Sequence, residues 1–389
     1  MDKYTTYVGM DVHARSVTAK ALNKTTGELS SKRFGAGYSS AEIIEWLDTL
    51  EGPILCAYES GCTGFWLARE LNERGFDCEV IAISTLARSL KDRKSKCDRL
   101  DARAILREMT NPLKTYSCVY IPDERTEAER DLCRARTNAA ARLKKARQEL
   151  ASFLLRHGYA WNERTSSGNL KKPIGRSYET WLDGISFEEA LADEVFSFLR
   201  MQIRVETEAL ERIEALMRRT ARSEENKPYV EALCLMKGID EMGAMLIKAE
   251  IGSFSRFNNG RKVSSWIGCV PSDHSSGERQ AHGKITKAGN KYVRRTLIEG
   301  AASLPNWKRQ IRVGPKEGVS AAIVIKADDA NERLFKRYRY LKEVRNKHAN
   351  KARIAIVNEM MRWIWVIGLM VEQEQALKSK RGTPAKTLV

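Results

Sequence analysis

The sequence predicts an α/β domain followed by a largely helical remainder. Three observations support this fold class. Strand and helix patterns alternate over residues 1–115, the composition changes to Arg, Ala, Glu and Lys from about residue 124, and apolar residues then recur every seven positions. With 389 residues, of which 42% are hydrophobic, the chain is long enough for two or three domains with packed cores.

The elements of the first domain, residues 1–115, follow from their local patterns. Apolar alternation and turn residues predict an antiparallel meander of three strands at residues 7–11, 17–22 and 28–34. The patterns that follow predict a helix at 41–50, a strand at 53–58, a helix at 64–74, a strand at 78–83 and a helix at 98–109. Three antiparallel strands followed by β-α-β units make the order expected of an RNase H-like domain.

Four carboxylates, which we term the acid quartet, stand at the ends of these elements. Asp11 ends the first strand, Glu59 follows the fourth, and Asp98 and Asp101 share one face at the start of a helix. Sites in α/β sheets lie beyond the carboxyl ends of strands, and carboxylates are the ligands that Mg²⁺ prefers. The quartet therefore predicts a site for Mg²⁺ or Mn²⁺. The structural alternatives are a helix N-cap at Asp98 and an ion pair between Asp101 and a neighbouring arginine.

Two long helices are predicted for the middle segment, residues 124–225. Every seventh residue from 132 to 153 is apolar, and a second heptad-like run extends from 196 to 217. The runs predict two helices packed as an antiparallel hairpin or across a dimer, and two ordinary amphipathic helices of a bundle are the alternative. Residues 159–185 lie between them, are rich in Gly, Ser, Trp and Lys, and are interpreted as an insertion.

Residues 228–375 are predicted to form a third, mostly helical domain. The run Leu235–Gly243, followed by a helix from 244 to 250, resembles a helix-hairpin-helix element. The glycine-containing turn of such an element offers backbone N–H groups to a phosphate, which makes Lys237 and Gly238 candidate nucleic-acid contacts. An ordinary helix turn is the alternative.

A loop near residue 276 carries a second group of candidate residues. Pro, Ser and Gly mark an ordered loop, with Ser275 and Ser276 close to several cations. Cations beside a hydroxyl favour its attack on a phosphodiester, because they offset charge that develops on the phosphoryl oxygens. From the chemistry alone the serine is a candidate phosphate contact, and an ordinary loop is the alternative. The candidate nucleic-acid-binding residues in and after this loop are Ser275, Arg279, Lys284, Thr286, Lys287, Asn290, Arg294 and Arg295.

Charge and composition narrow the partners and the location. Lys and Arg number 67 against 50 Asp and Glu, so the net charge of +17 favours a polyanion such as nucleic acid. The eight cysteines include no CxxC pair, which argues against a zinc site or a disulfide scaffold. The N-terminus lacks a signal-peptide pattern, and the apolar stretch 363–371 is too short for a membrane span and predicts a buried helix. A cytoplasmic protein with a polar tail at 376–389 is expected.

Four separated motifs resemble, in the same order, those of the DEDD transposases of bacterial insertion sequences. They are Gly9-Met10-Asp11, Tyr58-Glu59-Ser60-Gly61, Lys96-Cys97-Asp98-Arg99-Leu100-Asp101-Ala102-Arg103, and Pro271 with Ser275-Ser276-Gly277 and Thr286-Lys287-Ala288-Gly289-Asn290. The match covers residues 5–115 and 228–303. The stretches 159–185 and 305–325 depart from the family's pattern.

The resemblance implies a RuvC-like N-terminal domain and a serine-bearing C-terminal transposase domain, in a family that includes site-specific DNA invertases. It implies that the acid quartet binds magnesium, and that Ser276, or Ser275 in its place, attacks DNA to form a phosphoserine link. It also implies a non-coding bridge RNA that pairs with donor and target DNA. The leading hypothesis is therefore a DNA transposase or recombinase, assembled as a dimer or tetramer because recombination joins four DNA ends.

Three other classes stay open. A RuvC-like, Mg²⁺-dependent structure-specific endonuclease would use activated water and need no serine nucleophile. A sugar-kinase or actin-like ATPase shares the RNase H-like fold, but the sequence has no later Gly-Gly adenosine-binding signature. A non-catalytic RNA-binding protein would have no chemical use for Asp11 or Glu59.

Overall fold

A computed structural model describes residues 3–83, 98–113, 115–273, 282–306 and 318–382, with only the backbone described at 98–101, 273, 282, 381 and 382. The chain forms two compact units, residues 1–123 and residues 124–389. The first contains a six-stranded mixed sheet, and the second is almost entirely helical. The predicted class, α/β followed by helices, is confirmed.

The first unit alternates strands and helices. Its elements are β1 Thr6–His13, β2 Ser16–Asn23, β3 Leu29–Phe34, α1 Ser40–Leu47, β4 Ile54–Glu59, α2 Trp66–Glu73, β5 Asp77–Ile81, α3 Asp98–Thr110 and β6 Cys118–Val119. The predicted strands and helices of this unit are all present within three residues of their predicted bounds. The two-residue strand β6 was not predicted.

The sheet has the strand order β3-β2-β1-β4-β5-β6. The first three strands pair antiparallel, β1, β4 and β5 pair parallel, and β6 returns antiparallel to β5. Alternation along β1 buries both faces of the sheet. Val8 packs in a cluster with Ile43 of α1 and Leu67 of α2, whereas Tyr7 packs in a second cluster with Ile105 of α3. Helices therefore cover both faces.

The second unit consists of nine α-helices and a short β-ribbon in its described part. Its elements are α4 Glu124–Arg156, α5 Arg176–Asp183, α6 Ala190–Ala221, α7 Lys227–Leu233, α8 Glu241–Ile251, α9 Gly260–Trp266, β7 Pro271–Asp273, β8 His282–Ile285, α10 Lys291–Ala301, α11 Ala321–Arg339 and α12 Ala349–Gly382. A 3₁₀ turn at Leu304–Asn306 follows α10, and a π-helical turn at Tyr340–Val344 follows α11.

The helices α4 and α6 form the predicted long pair within one chain, and they run antiparallel. The direction follows from two ion pairs whose numbers change in opposite senses: Arg136 with Glu214 at 2.6 Å, and Arg142 with Glu206 at 3.0 Å. The buried face of α4 follows the predicted heptads, with Ala139, Leu143, Ala146, Leu150 and Phe153 all buried. The predicted insertion contains α5, which packs against the end of this pair.

The helix α12 passes through the core of the second unit. Ile364, Ile367 and Val371 are buried, which confirms the predicted buried helix. Among the described residues α12 is the one helix long and apolar enough to cross a membrane by length and composition, a test that core helices also pass. The helix continues to Gly382, seven residues into the predicted polar tail.

Candidate active site

Two acids of the quartet stand side by side at the carboxyl ends of parallel strands. Strands β1 and β4 are paired so that Met10 lies opposite Tyr58, and Asp11 and Glu59 are the next residue on each strand. Both acids are half-buried. The sequence placed them at strand ends, and the register now makes them neighbours at the edge where α/β sites lie.

Helix α3 crosses the same face of the sheet at unusually close range. A Cβ atom on Gly9 would lie 2.6 Å from the Ala102 carbonyl oxygen and 2.7 Å from the Leu106 nitrogen, both of them backbone atoms. Glycine therefore permits an approach that other residues would prevent. Because side chains alternate along a strand, Asp11 shares this face with Gly9. Asp98 and Asp101 lie in the first turn of α3, just before Ala102, and their side chains are outside the described set.

His13 joins Asp11 at this edge. The His13 Nε2 atom lies 3.1 Å from Asp11 Oδ2, and the Tyr38 hydroxyl donates to the His13 carbonyl at 3.1 Å. The Asp11 side chain is 13% exposed and that of His13 is 51% exposed. Sequence reasoning missed His13, although its i+2 spacing from Asp11 on a strand places both on one face. The histidine restrains the rotamer of the acid and adds a group that carries positive charge when protonated.

The chemistry of the donors fits a hard divalent cation. Asp11 and Glu59 supply carboxylate oxygens at adjacent positions, which are the ligands that Mg²⁺ and Mn²⁺ take. Among the side chains that the structure describes, no group of three or more His, Cys, Asp and Glu is placed to hold a metal. The described part therefore contributes two of the four predicted ligands, and the other two belong to the first turn of α3.

Ser275, Ser276 and Arg279 lie in residues 274–281, outside the described residues. The residues on either side form a β-ribbon in which Pro271 pairs with Ile285 and Asp273 with His282. The segment that carries the predicted serine therefore begins and ends on neighbouring strands.

Two of the predicted nucleic-acid contacts are exposed cations at the end of this ribbon. Lys284 and Lys287 are exposed, and neither has an ion-pair partner within the described ranges. Lys287 has a positive φ of 54° and donates its N–H to the Gly268 carbonyl at 3.1 Å. The exposed Thr286 donates its N–H to Val270 at 2.9 Å. The backbone here is held by local hydrogen bonds, which leaves the two ammonium groups for an anionic partner.

Three other predicted contacts bind within the protein. The Asn290 side chain caps α10 by accepting from the Val293 N–H at 3.0 Å. Arg294 donates to the Ile267 carbonyl at 2.8 Å, and Arg295 pairs with Glu299 at 2.9 Å. These bonds orient the start of α10 and the turn before β7. A nucleic-acid contact by any of the three stays a prediction.

The predicted helix-hairpin-helix turn also has internal contacts. Gly238 has a positive φ of 88°, and a Cβ atom there would lie 2.2 Å from the Gly300 carbonyl oxygen. The Lys237 N–H donates to Asn331 Oδ1 at 2.8 Å, so that this N–H is already used. The turn therefore packs on α10 and α11, and its contact with phosphate stays a prediction.

A buried carboxylate that sequence reasoning missed holds α10 in place. The Glu250 side chain is 1% exposed and accepts two hydrogen bonds from Arg134, at 2.7 and 2.9 Å. It also accepts from Asn290 Nδ2 at 2.7 Å, the same side chain that caps α10. The carboxylate raises the pKa of Arg134, so that this arginine stays charged. The signal in the sequence is a lone glutamate in the apolar run of α8.

A cysteine near the ribbon is not a competing nucleophile. Cys269 precedes β7, and its side chain is buried. Burial raises the pKa of Cys269 to about 11, so the sulfur is a thiol at neutral pH. Because the thiolate is the reactive form, the hydroxyls of this region are the better candidates.

Comparisons with known proteins show which family the chain resembles. Residues 8–158 match a DEDD transposase family of the IS110 type, described as Transposase, and residues 230–313 match the family described as Transposase IS116/IS110/IS902 family. The chain is 32% identical over 321 residues to "Putative transposase y4qE" of Sinorhizobium fredii, which covers 81% of this chain and 75% of that protein. It is 29% identical over 349 residues to the transposase for insertion sequence element IS1533 of Leptospira borgpetersenii, with 88% and 98% covered.

These matches define a class and then a family. The chain is an enzyme of DNA strand cleavage and transfer. It belongs to the DEDD transposases of insertion sequences, which confirms the family predicted from the four motifs. Transposases act on DNA, and the DEDD family indicates a divalent-metal requirement.

Proposed function

We propose that this transposase cuts DNA with the Ser276 hydroxyl and the acid quartet acting on the same scissile phosphate, in a RuvC-like domain and a serine-bearing domain. The observation that supports it most is the pairing of β1 with β4, which sets Asp11 beside Glu59 under a helix that begins at Asp98. The strand order and its antiparallel-then-parallel pairing support the RNase H-like assignment.

In the proposed step the Ser276 oxygen attacks phosphorus, and its proton passes through water to the sugar oxygen that leaves. A phosphoserine bond forms, and the bond between phosphorus and the leaving sugar oxygen breaks. Attack by the sugar hydroxyl of another strand then displaces the serine, so that the strand is rejoined without synthesis. Lys284 and Lys287 hold the phosphates that flank the cut, and Ser275 is the alternative nucleophile.

The acid quartet would hold the divalent cation, Mg²⁺ or Mn²⁺. When bound, such a cation neutralises charge on the phosphoryl oxygens. The residues of the chain position the ligands. The register of β1 and β4 fixes two carboxylates, and His13 orients Asp11.

A covalent adduct tests this proposal. The protein is incubated with a labelled DNA whose cleaved fragment diffuses away, and DNA bound to denatured protein is measured. We expect an adduct in the wild type and in Ser275→Ala, and none in Ser276→Ala, with DNA binding unchanged. Loss of the adduct in Ser275→Ala alone would move the nucleophile by one residue. Cleavage with no adduct in any protein would favour the alternative, a metal-dependent endonuclease that uses activated water.

We also propose that a non-coding bridge RNA guides the enzyme, which would act in the cytoplasm at the nucleoid. The net charge of +17 favours a polyanionic partner, and RNA meets that condition as DNA does. Sequencing of RNA that co-purifies with the protein tests this, together with the DNA that flanks its gene. A single RNA species that pairs with both DNA ends is expected, and random cellular RNA would contradict the proposal.

A dimer or tetramer is proposed because α6 carries an apolar face that its packing against α4 leaves exposed. Leu191, Val195, Phe198 and Val205 recur at helical spacing and are 45–69% exposed. The mass in solution, measured by light scattering, tests this. We expect an oligomer that Phe198→Glu converts to a monomer, whereas Arg212→Glu, on the same helix, does not. A wild-type monomer would contradict the proposal.

A further inference from the structure

A cavity of about 600 Å³ lies in the second unit between α4, α5 and α6. One wall is α5 with the residues 173–175 before it, from the segment that departs from the family's pattern. The two family matches end at residue 158 and resume at residue 230. Most of the lining therefore belongs to a part of this chain that neither match covers. Its volume is in the range of about 300–1,000 Å³ that is usual for ligand sites.

The lining combines an apolar wall with cations. Ile174, which is 48% exposed, and the half-buried Ile203 contribute apolar surface, and the buried Leu150 and Leu182 lie behind it. Arg147 and Arg204 enter from α4 and α6, and both are exposed. Neither has a hydrogen-bond or ion-pair partner within the described part of the chain. A ligand with a flat apolar part and a negative charge would satisfy both kinds of surface.

A third arginine of the lining, Arg200, is already paired. It contacts Asp183 at 2.6 Å and Glu179 at 3.4 Å. The two arginines without partners are thus the groups left for an incoming anion. The carboxylates of Glu179 and Glu208 also line the cavity. They accept hydrogen bonds, so they favour a ligand that offers N–H or O–H groups as well as charge.

Tyr178 adds an aromatic ring and a hydroxyl to the cavity wall. The residue is 7% exposed, and its hydroxyl opens onto the cavity rather than being sealed from solvent. Its ring stacks on Trp181, with 5.5 Å between ring centroids, and meets Trp161 edge-on at 5.2 Å. Within the described ranges its hydroxyl has no hydrogen-bond partner. Burial raises the pKa of Tyr178, so the hydroxyl is an unused donor at neutral pH.

We propose that this cavity binds one unpaired nucleotide of a nucleic-acid strand. The base packs on Ile174 and Ile203, Tyr178 donates to the base or sugar, and Arg147 and Arg204 bind the flanking phosphates. The glutamates accept from the base amino group or a sugar hydroxyl. Inorganic phosphate or a fatty acid would leave either the apolar wall or the carboxylates unused. The inference rests on the proposed function in one respect, that nucleic acid is the partner.

Photo-crosslinking locates the nucleotide. The full-length protein carrying Ser276→Ala is irradiated with duplexes that contain one 4-thiothymidine (DNA) or 4-thiouridine (RNA), either in a one-nucleotide bulge or base-paired. We expect the bulged probe to crosslink to the peptide that contains residues 173–182, and the paired probe not to. The stronger of the DNA and RNA arms identifies the strand. Crosslinks that occur only elsewhere in the chain would overturn the proposal.

Affinity for the bulged probe distinguishes a cavity from a generally basic surface. Arg147→Ala/Arg204→Ala is compared with Lys144→Ala/Arg212→Ala, which removes the same charge from the same two helices at exposed positions without described partners. We expect about a tenfold loss for the first pair and a much smaller loss for the second. Tyr178→Phe should reduce the crosslink while the protein stays folded. Equal losses in the two double variants would overturn the proposal. These measurements do not depend on cleavage. They can therefore be interpreted even if the adduct experiment fails.

Discussion

The two regions that carry the candidate catalytic groups are built on different principles. Asp11 and Glu59 stand on two inner strands of a sheet covered on both faces, so backbone pairing alone sets their spacing. The ribbon next to the serine segment has two short strands, and the helix that follows it is held by side chains that converge on the buried Glu250. The acid site therefore depends on register and packing, whereas the position of α10, after the ribbon, depends on a few buried polar bonds.

The largest expected effect is a loss of stability in the second of these regions. Glu250→Gln leaves Arg134 without its charge partner and should lower the free energy of unfolding by about 3 kcal/mol, near the lower bound for buried pairs because Arg134 is partly exposed. Chemical denaturation measures this. The control Glu299→Gln removes an exposed pair with Arg295 and should cost less than about 1 kcal/mol. Equal losses of unfolding free energy in the two variants would show that the buried pair matters no more than the exposed one.

The next effect tests the first region chemically. Asp11→Asn and Glu59→Gln each keep their shape but lose a charged oxygen ligand, and should slow single-turnover cleavage by about 10²–10³-fold. Asp77→Asn, an exposed acid of β5 paired with Lys3 at 2.7 Å, is the matched control. Thermal melts of all three proteins should stay close to the wild type. Full cleavage by either quartet variant would argue against a catalytic role for that acid.

A smaller effect is expected when the packing that brings α3 to the strand ends is disturbed. Gly9→Ala places a methyl group 2.6 Å from the Ala102 carbonyl oxygen, which displaces the helix and should cost about 1–3 kcal/mol. Cleavage should fall as well, because α3 carries half of the quartet. Gly35→Ala meets nothing within 4 Å and serves as the control. A neutral Gly9→Ala would show that the helix position is not set by this contact.

The smallest effect concerns the exposed cations of the ribbon. Lys284→Ala/Lys287→Ala should weaken DNA binding on all sequences alike and reduce the slope of log affinity against log salt by about 1.8, two phosphates at roughly 0.9 each. Salt titrations of a fluorescent duplex measure the slope. Arg295→Ala, whose guanidinium already pairs with Glu299, should change it less. A larger change of the slope in Arg295→Ala than in the double lysine variant would assign the phosphate contact to α10.

Local pattern was enough for the elements of the first unit because each depends on neighbours in sequence. Apolar runs identified β1 and β4, and the helical pattern placed Asp98 at the start of α3. The two-residue strand β6 is too short to carry a pattern. His13 was missed although its spacing from Asp11 is local, because an exposed histidine after an acid has no signature of its own.

Side-chain bonds between residues far apart in the sequence could not be predicted from the sequence. Arg134 and Glu250 are 116 positions apart, and a charged residue on a helix looks the same whether it is solvated or buried against a partner. For the same reason the sequence did not show that Asn290 and Arg294 form bonds within the second unit, and their contact with phosphate stays a prediction. Sequence identifies a cation, but packing decides whether it is available.

The sequence by itself determined the class and the family, and it predicted the four acids of the quartet, because these depend on residue type, order and spacing along the chain. The tertiary structure decided that Asp11 and Glu59 are neighbours, that Gly9 admits α3, and which cations have no partner among the described residues. Those properties arise from contacts between segments far apart in the chain. Such contacts are set by strand register and by the competition of each polar group between water, nucleic acid and the protein's own interior.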